Sequence, residues 1–426
     1  MPEKVRLAVP YDVGSAAPLE ISRVSRTFAP LGVVLGDSDH AAEMAPLFDE
    51  LRHVGRAGLG WAERLELLTR WRPDGIVTFS ERMLRPTAAW AKALSLPFHT
   101  PETAELVTDK YLQREALAAA GVAPVASSLV TAPESWPAAI ARTGLPAVVK
   151  PRRGEGSRNT YLVEDAADGR RLVERLLAGA ERELVVEELL IGRPEPCFGD
   201  YVSVECACVA GAVHPIAVTG KFALTPPFRE SGQFWPAALD PEEEAEVVEV
   251  AAAALRALGV TTGLSHTEIK LTADGPRVIE VNGRLGGQVA ELARRATGVD
   301  LVEVACGIAL GEDVEVPRAA PGRVYFQHHT LAPRQPCTVV EVPRPGPLPG
   351  IDRFRPFVRA GERLAGGTRT RELDLLSGDA PDHAAMMRTL ATALPEITYL
   401  LDTADGRVRA SAVELTSTLR WPSPAR

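Results

Sequence analysis

The residues best suited to chemistry crowd into Leu264–Gly287, LSHTEIKLTADGPRVIEVNGRLGG. Asp274-Gly275 between two apolar runs predicts a β-hairpin. With side chains alternating at period two, Thr267, Ile269 and Leu271 share an apolar face with Ile279 and Val281. The opposite face then carries His266, Glu268 and Lys270 beside Glu280, Asn282 and Arg284. Two carboxylates held this close raise each other's pKa unless a cation lies between them. Their hard oxygens, with the Asn282 amide, suit Mg²⁺ (Mn²⁺ as a substitute), which takes one or two carboxylates and completes its shell with phosphate oxygens. The alternative is a solvated outer face whose acids pair with Lys270 and Arg284. Glu-x-Asn-x-Arg running straight into Gly286-Gly287 is not typical of such a face.

Only six of the 47 basic residues are lysines, and four of these, Lys110, Lys150, Lys221 and Lys270, fall beside candidate motifs. A retained lysine marks a place where a compact ammonium suits better than a planar fork. Lys110 opens a helix predicted over Tyr111–Ala120, where a cation opposes the helix dipole unless an anion is held there. Lys150 ends the apolar strand Leu145–Lys150, just before Gly154-Glu155-Gly156-Ser157. Such a turn can close backbone N–H groups over phosphate oxygens, although it lacks the Walker A pattern. A further strand, Leu184–Ile191, carries Glu187 and Glu188 inside an apolar run, where a carboxylate is costly unless paired. Its end, around Leu189, offers an adenine one backbone donor and one acceptor. Tyr201–Val209 alternates as a strand with Ser203 and Glu205 at period two.

The elements that must position these groups follow a mixed pattern. The first hundred residues alternate apolar runs (Val5–Pro10, Gly32–Leu35, Gly75–Phe79) with helical ones (Trp61–Trp71, and Pro86 to Leu94). This order predicts an open parallel sheet, whose strand-end loops Tyr11–Ala16 and Ser80–Met83 are where such sheets bind ligands. Asp240 caps a helix over Pro241–Leu258 that stops at Gly259. Beyond Gly311, Pro317–Gly322 leads to β-like runs at Arg323–Thr330 and Cys337–Val342 and to a helix over Asp382–Leu394. The expected fold class is therefore α/β and α+β in three parts: an N-terminal open α/β domain (1–104), a central domain (105–315) and a C-terminal α/β domain (316–426). With 426 residues, 46% hydrophobic and 24% charged, the chain has the composition of a globular protein. A net charge of −9 argues against a general nucleic-acid binder. No apolar run reaches the roughly 18 residues of a membrane span. Five cysteines without a C-x-x-C pair, and an N-terminus unlike a signal peptide, predict a cytoplasmic protein with neither nucleic acid nor membrane as partner.

Taken in order, Lys110 before a helix, Lys150 before a Gly-rich turn, Glu187-Glu188-Leu189, then Glu268 and Glu280-x-Asn282 resemble the ATP-grasp family over about residues 105–312. The resemblance implies a pre-ATP-grasp domain followed by an ATP site between two α+β subdomains. Lys110 and Lys150 would bind the phosphates under a loop of Gly154, Gly156 and Ser157. Glu187, Glu188 and Leu189 would face the adenine, with Glu195 and Asp200 as alternative ribose acids. Glu268, Glu280 and Asn282 would hold one or two Mg²⁺ ions, and Arg284 would grip the substrate carboxylate and its phosphorylated form.

More narrowly, Asn282–Gly287 followed by a helix at Gln288–Thr297 looks like the L-amino-acid ligase branch. So does Thr219–Leu239, a long loop stiffened by prolines that would bring Lys221, Arg229, Phe234 and Trp235 to an acceptor pocket. The implied reaction is attack of a carboxylate on the γ-phosphate of ATP, giving ADP and an acyl phosphate held by Arg284 and by Gly286, Gly287 and Gln288. An amine then displaces phosphate and an amide forms. The implied substrates are a small-molecule carboxylate and an amine, most simply amino acids. Lys270 and His266 stand with the reacting groups. His266 and Glu205 are alternatives for the base, and orienting Glu268 is the other role open to His266. A bicarbonate-using ligase and a nucleotide-binding protein without ligase activity remain alternatives. The C-terminal domain would complete the substrate pocket or a homodimer.

Overall fold

Continuous apolar runs become strands buried on both faces, the signature of a covered parallel sheet. Leu7–Tyr11 and Leu31–Leu35, both wholly buried, lie at the centre of a four-stranded parallel sheet flanked by Arg52–Gly55 and Gly75–Ile76. This computed structural model describes residues 5–24, 27–28, 30–48, 52–55, 58–312 and 322–416. A second sheet is antiparallel, in the order Ser127–Val130, Leu184–Glu188, Ala147–Pro151, Tyr161–Val163. Helices Trp136–Thr143 and Ala166–Ala178 cover it through Trp136, Leu172, Val173 and Leu176.

The third sheet is the largest. Its eight strands run Gly275–Asn282, Gly263–Thr272, Tyr201–Val209, Ala212–Lys221, Gly232–Trp235, Val324–His328, Asp374–Ala380 and Ile351–Pro356. It therefore crosses the expected boundary at 315/316, which itself lies outside the described residues, as does most of Pro317–Gly322. A fourth sheet, Arg363–Leu364, Cys337–Glu341, Thr398–Thr403 and Gly406–Ser411, packs with helix His383–Ala393 through Leu364, Val339, Met386, Leu390 and Leu401.

Two expectations need correction. Thr219–Leu239 is not one long loop: its start and its centre are strands of the large sheet, joined by a turn over 222–231. Strict alternation in the hairpin also fails, because a bulge interrupts the pairing between Glu268↔Glu280 and Ile269↔Val278. The extra residue is Ile279, so the fully buried Val278 takes the core position expected for it. Bulges of this kind add one residue to one strand, and this one leaves Glu280 and Asn282 on the predicted face.

Helix Lys110–Ala119 joins the second sheet to the large one. Buried Asp109 caps it, accepting from the N–H groups of Tyr111 and Leu112 at 3.1 Å. One turn on, Arg114 donates through Nε and Nη2 to Glu187 at 3.1 and 3.0 Å, and through Nη1 and Nη2 to the Val278 and Ile279 carbonyls at 2.6 Å. Lys150 Nζ reaches the same Glu187 carboxylate at 2.8 Å. Gln113 exchanges two 2.8 Å hydrogen bonds with the backbone of Val281. Burial opposes the ionised form of Glu187, but Arg114 and Lys150 outweigh it and hold the carboxyl down at about 2.

Replacing Glu187 with Gln strips two buried cations of their counter-charge, so unfolding free energy in urea at neutral pH should fall by about 3–5 kcal/mol. The folded pKa lies below the ordinary 4.5. The stabilisation is therefore complete above the ordinary value and lost as pH falls toward the folded one. The gap between wild type and Glu187→Gln should close across that window, and a pH-independent gap would refute the assignment.

Candidate active site

Three adjacent strands of the large sheet set polar side chains in cross-strand rows. His266 lies opposite Glu205 on one side and Asn282 on the other, and Glu268 lies between Ser203 and Glu280. Side chains directly opposite on neighbouring strands are within contact distance, so the register alone assembles the group. His266 Nδ1 meets Glu205 at 2.5 Å and Nε2 meets Glu268 at 3.4 Å. Burial disfavours the charged imidazole, yet the charge and hydrogen bond of Glu205 and the hydrogen bond to Glu268 prevail, pushing its pKa up to about 9. Burial also works against ionised Glu268, and the His266 contact, with Lys221 and Lys110 nearby, overcomes it and lowers the carboxyl to about 2.

Both ring nitrogens of His266 are thus committed to carboxylates, which leaves neither turned toward an incoming amine. Glu205, 1% exposed, lies behind it, and its second oxygen has no hydrogen-bond partner among the described residues. Both alternatives for the base are corrected on these grounds, and the orienting role for His266 is the one its geometry supports.

The cations divide between two ends of this row. Lys110 Nζ pairs with Glu280; burial pulls its pKa down, and Glu280 reverses the sign and raises it. At the other end, Lys270 bonds Asp200 at 2.6 Å. Lying beyond Glu268 from Arg284 and engaged with Asp200, Lys270 is corrected from the reacting groups. Glu195, the other ribose alternative, pairs with Arg193 at 2.7 Å.

Arg284 donates through Nε to Glu81 at 3.0 Å, through Nη2 to Asn282 at 3.3 Å and through Nη1 to the Leu285 carbonyl at 2.9 Å. Glu81 was not foreseen. It opens the short turn Glu81–Met83 after the strand end at Ile76, and the only signal for it was an acid in a loop at a strand's carboxyl end. Burial raises its pKa, with Arg284 opposing and Glu280 adding.

Of the expected adenine-facing trio, Glu187 is corrected: its side chain belongs to the buried cluster with Arg114. Glu188 accepts from Ala126 N–H at 3.2 Å, and Leu189 N–H donates to Pro146 at 3.3 Å. The Gly-rich turn has positive φ at Gly154, Gly156 and Ser157. Two later segments hold it: Ser157 Oγ donates to Phe228 O at 2.6 Å, Thr370 N–H to Gly156 O at 2.8 Å, and Asn159 N–H to Thr368 at 2.9 Å.

Among the expected substrate contacts, Lys221 lies 3.1 Å from Gln233, whose amide donates to Gly287 O at 2.9 Å. Gln288 begins helix Val289–Thr297 in the left-handed region (φ 60°), and its carbonyl accepts from Gln327 at 3.1 Å. Arg229 and Trp235 are corrected. Arg229 is buried and spends Nη1 and Nε on the Ala332 and Pro226 carbonyls. Trp235 packs in the core with Ala207, Ile216 and Leu264, because its strand is interior to the sheet.

A family model, the carbamoyl-phosphate synthase L chain ATP-binding domain, matches residues 109–316. These are the residues that carry the cap, the cation cluster, the Gly-rich turn and the acidic rows. Residues 109–316 are an ATP-grasp domain. An uncharacterized protein y4rH of Sinorhizobium fredii is 31% identical over 291 residues, covering 67% of this chain and 59% of that one. Alanine–anticapsin ligase of Bacillus subtilis is 29% identical over 265 residues, 57% of this chain and 56% of its own. The chain thus spans less than two thirds of these relatives. An L-amino acid ligase structure from Bacillus licheniformis superposes with a TM-score of 0.72 at 20% identity, covering 92% of this chain and 98% of that one, which gives the fold.

The ATP-grasp donor set fits a hard divalent cation. Glu268 and Glu280 are cross-strand neighbours that each give one oxygen to a cationic partner, His266 and Lys110. Their second oxygens remain as ligands for Mg²⁺, and the Asn282 side-chain oxygen, which accepts one 3.3 Å hydrogen bond from Arg284, has a second lone pair to offer. Mg²⁺ needs only one or two carboxylates when phosphates complete its shell. Among the described residues, no three or more of His, Cys, Asp and Glu group to hold a metal alone. None of the described helices is long and apolar enough to cross a membrane.

The close approach of Gly286 to His266 gives a paired test. A Cβ at Gly286 would sit 2.4 Å from His266 Nδ1, whereas one at Gly287 meets nothing within 4 Å. Gly286→Ala should cost about 1–3 kcal/mol by overpacking, and Gly287→Ala less than about 0.5 kcal/mol. Thermal unfolding of the two variants checks this order.

Proposed function

We propose that the chain is an ATP-dependent carboxylate–amine ligase that joins amino acids or similar molecules through an acyl phosphate, releasing ADP and phosphate. One observation carries this reading: Arg284 and Glu81 meet at 3.0 Å beside Asn282. A guanidinium that can grip a carboxylate and a buried carboxylate that can receive an ammonium thus stand together at the edge of the acidic rows. Lys110 and Lys150 bind the phosphates, and the Gly154–Ser157 turn covers them. Mg²⁺ held by Glu268, Glu280 and Asn282 would offset the charge gathering on the transferred phosphoryl group. Arg284, with the N–H groups around Gly286 and Gly287, holds the developing acyl phosphate. Glu81, whose pKa burial raises, is placed to take the proton from the incoming amine. His266 fixes Glu268 from behind.

The similarity to alanine–anticapsin ligase supports amino acids as the substrate class. On this reading the chain works in the cytoplasm, and the residues after 315, three of whose strands extend the large sheet, complete the substrate pocket or a homodimer contact.

A phosphate-release screen over amino-acid pairs, with bicarbonate run separately, tests the reading. ADP and phosphate are the expected products, and AMP with pyrophosphate would overturn it. Arg284→Lys keeps the charge and loses the fork that fits a carboxylate. ATP affinity by calorimetry should be unchanged, while kcat/KM for the carboxyl substrate falls by about 10²-fold. Loss of ATP binding with an unmoved carboxylate KM would make Arg284 a nucleotide residue.

A further inference from the structure

Beside Glu81, a cavity of about 270 Å³ opens, lined by Arg82, Arg85, Arg153, Arg158 and Arg369 together with the Gly154-Glu155 edge of the Gly-rich turn. Two of the five guanidiniums are spent. Arg153 donates to Thr108, Glu105 and Asp109, and Arg158 to Glu181 and the Arg153 carbonyl. The other three are not. Arg82 uses Nε on Glu155 at 3.1 Å and Arg85 uses Nε on Glu105 at 2.7 Å. The forked Nη ends of both make no hydrogen bond among the described residues, and buried Asp12, 4.0 Å from Arg82 Nη1, does not line the cavity. Arg369, exposed at the tip of the segment that holds the Gly-rich turn, pairs with no carboxylate among them.

The counter-charges also lie mostly outside. Glu105, Asp109 and Glu181 do not line the cavity. The two carboxylates that do, Glu81 and Glu155, are engaged by Arg284 and Arg82. Three unspent forks around one hollow form a receptor for a planar or tetrahedral oxyanion.

We infer that this cavity is an oxyanion subsite, holding a carboxylate of the substrates other than the one that reacts. The inference rests on the ligase reading. A molecule whose reacting groups lie at Arg284 and Glu81 extends directly into the cavity, because Glu81 belongs to both. The anion comes either from the free carboxylate of an amino acid serving as amine or from an acidic side chain on the carboxyl substrate. Arg229, expected at the acceptor pocket, is committed to backbone carbonyls, so the forks of this cavity are the ones open to a carboxylate there.

The test compares the full-length wild type with Arg369→Glu and Arg85→Gln, both changes at exposed guanidiniums. One arm sets L-alanine against L-alaninamide as amine; the other sets L-aspartate against L-alanine as carboxyl substrate. The expected result is a fall of about 10-fold in kcat/KM for the anionic member of one arm, with its neutral counterpart and the KM for ATP unmoved. The arm that responds identifies the source of the anion. Equal losses for charged and neutral substrates, no loss in either arm, or a change confined to the KM for ATP would each overturn the subsite.

Calorimetric binding of L-alanine, L-alaninamide and L-aspartate to the wild type and Arg369→Glu needs no turnover. Weaker binding of an anionic ligand alone supports the subsite even where the ligase reading fails, and equal affinities in the two chains reject it.

Discussion

The Glu187 carboxylate is the charge that sets the four-stranded sheet of Leu184–Glu188 against the eight-stranded one. It comes from a strand of the small sheet, is buried, and receives Arg114 from the bridging helix and Lys150 from the neighbouring strand. Isolated, an ionised carboxyl in such surroundings would be neutralised rather than tolerated. Paired twice, it keeps its charge and fixes the helix at one end. Arg114 is fixed at the other end because its remaining donors reach the Val278 and Ile279 carbonyls of the large sheet. The bulge at Ile279 bears on this contact, since two successive carbonyls become available to one guanidinium. Replacing the whole cluster with well-packed apolar side chains would cost little stability. It would remove the directional contacts that set one sheet against the other.

That placement decides which surfaces face each other. Lys110 starts the helix that carries Arg114, so the clamp also brings its ammonium to Glu280. Lys150 ends the strand that leads into the Gly-rich turn, so the same carboxylate anchors the turn at its root. The far side of the turn is held by Phe228 and by residues 368 and 370. One buried charge, two strand ends and a helix start therefore locate all the groups proposed to meet the ATP phosphates.

Much of this was legible in the sequence wherever a period or a cost decided the matter. The polar face of the hairpin followed from alternation, and the bulge spared it because it falls between Glu280 and Val278. The expense of Glu187 in an apolar strand implied a partner. Which cation answers it depends on a contact between residues 73 apart, and no local pattern encodes that. Glu81 was hidden for the same reason: it joins Arg284 across 203 positions. Thr219–Leu239 misled because prolines and aromatics there suggest a loop, whereas the sheet absorbs two stretches of it as strands.

The arginine bias acquires a meaning once positions are known. Lys110, Lys150, Lys221 and Lys270 each approach a carboxylate or amide oxygen inside the ATP-grasp domain, while Lys92 is exposed. An ammonium is a compact point charge that can exchange one oxygen partner for another by turning a flexible stem. On the proposed reading such exchange is required, because Lys110 must trade Glu280 for phosphate oxygens when nucleotide enters. Arginine is suited to the opposite task. Its planar fork holds a fixed geometry, as Arg114 does in the clamp, or waits for a planar anion, as Arg82, Arg85 and Arg369 do around the cavity. The division is not complete, because Lys150 keeps Glu187 in the clamp beside Arg114, but the exchange asked of Lys110 is one that only the ammonium's flexible stem allows.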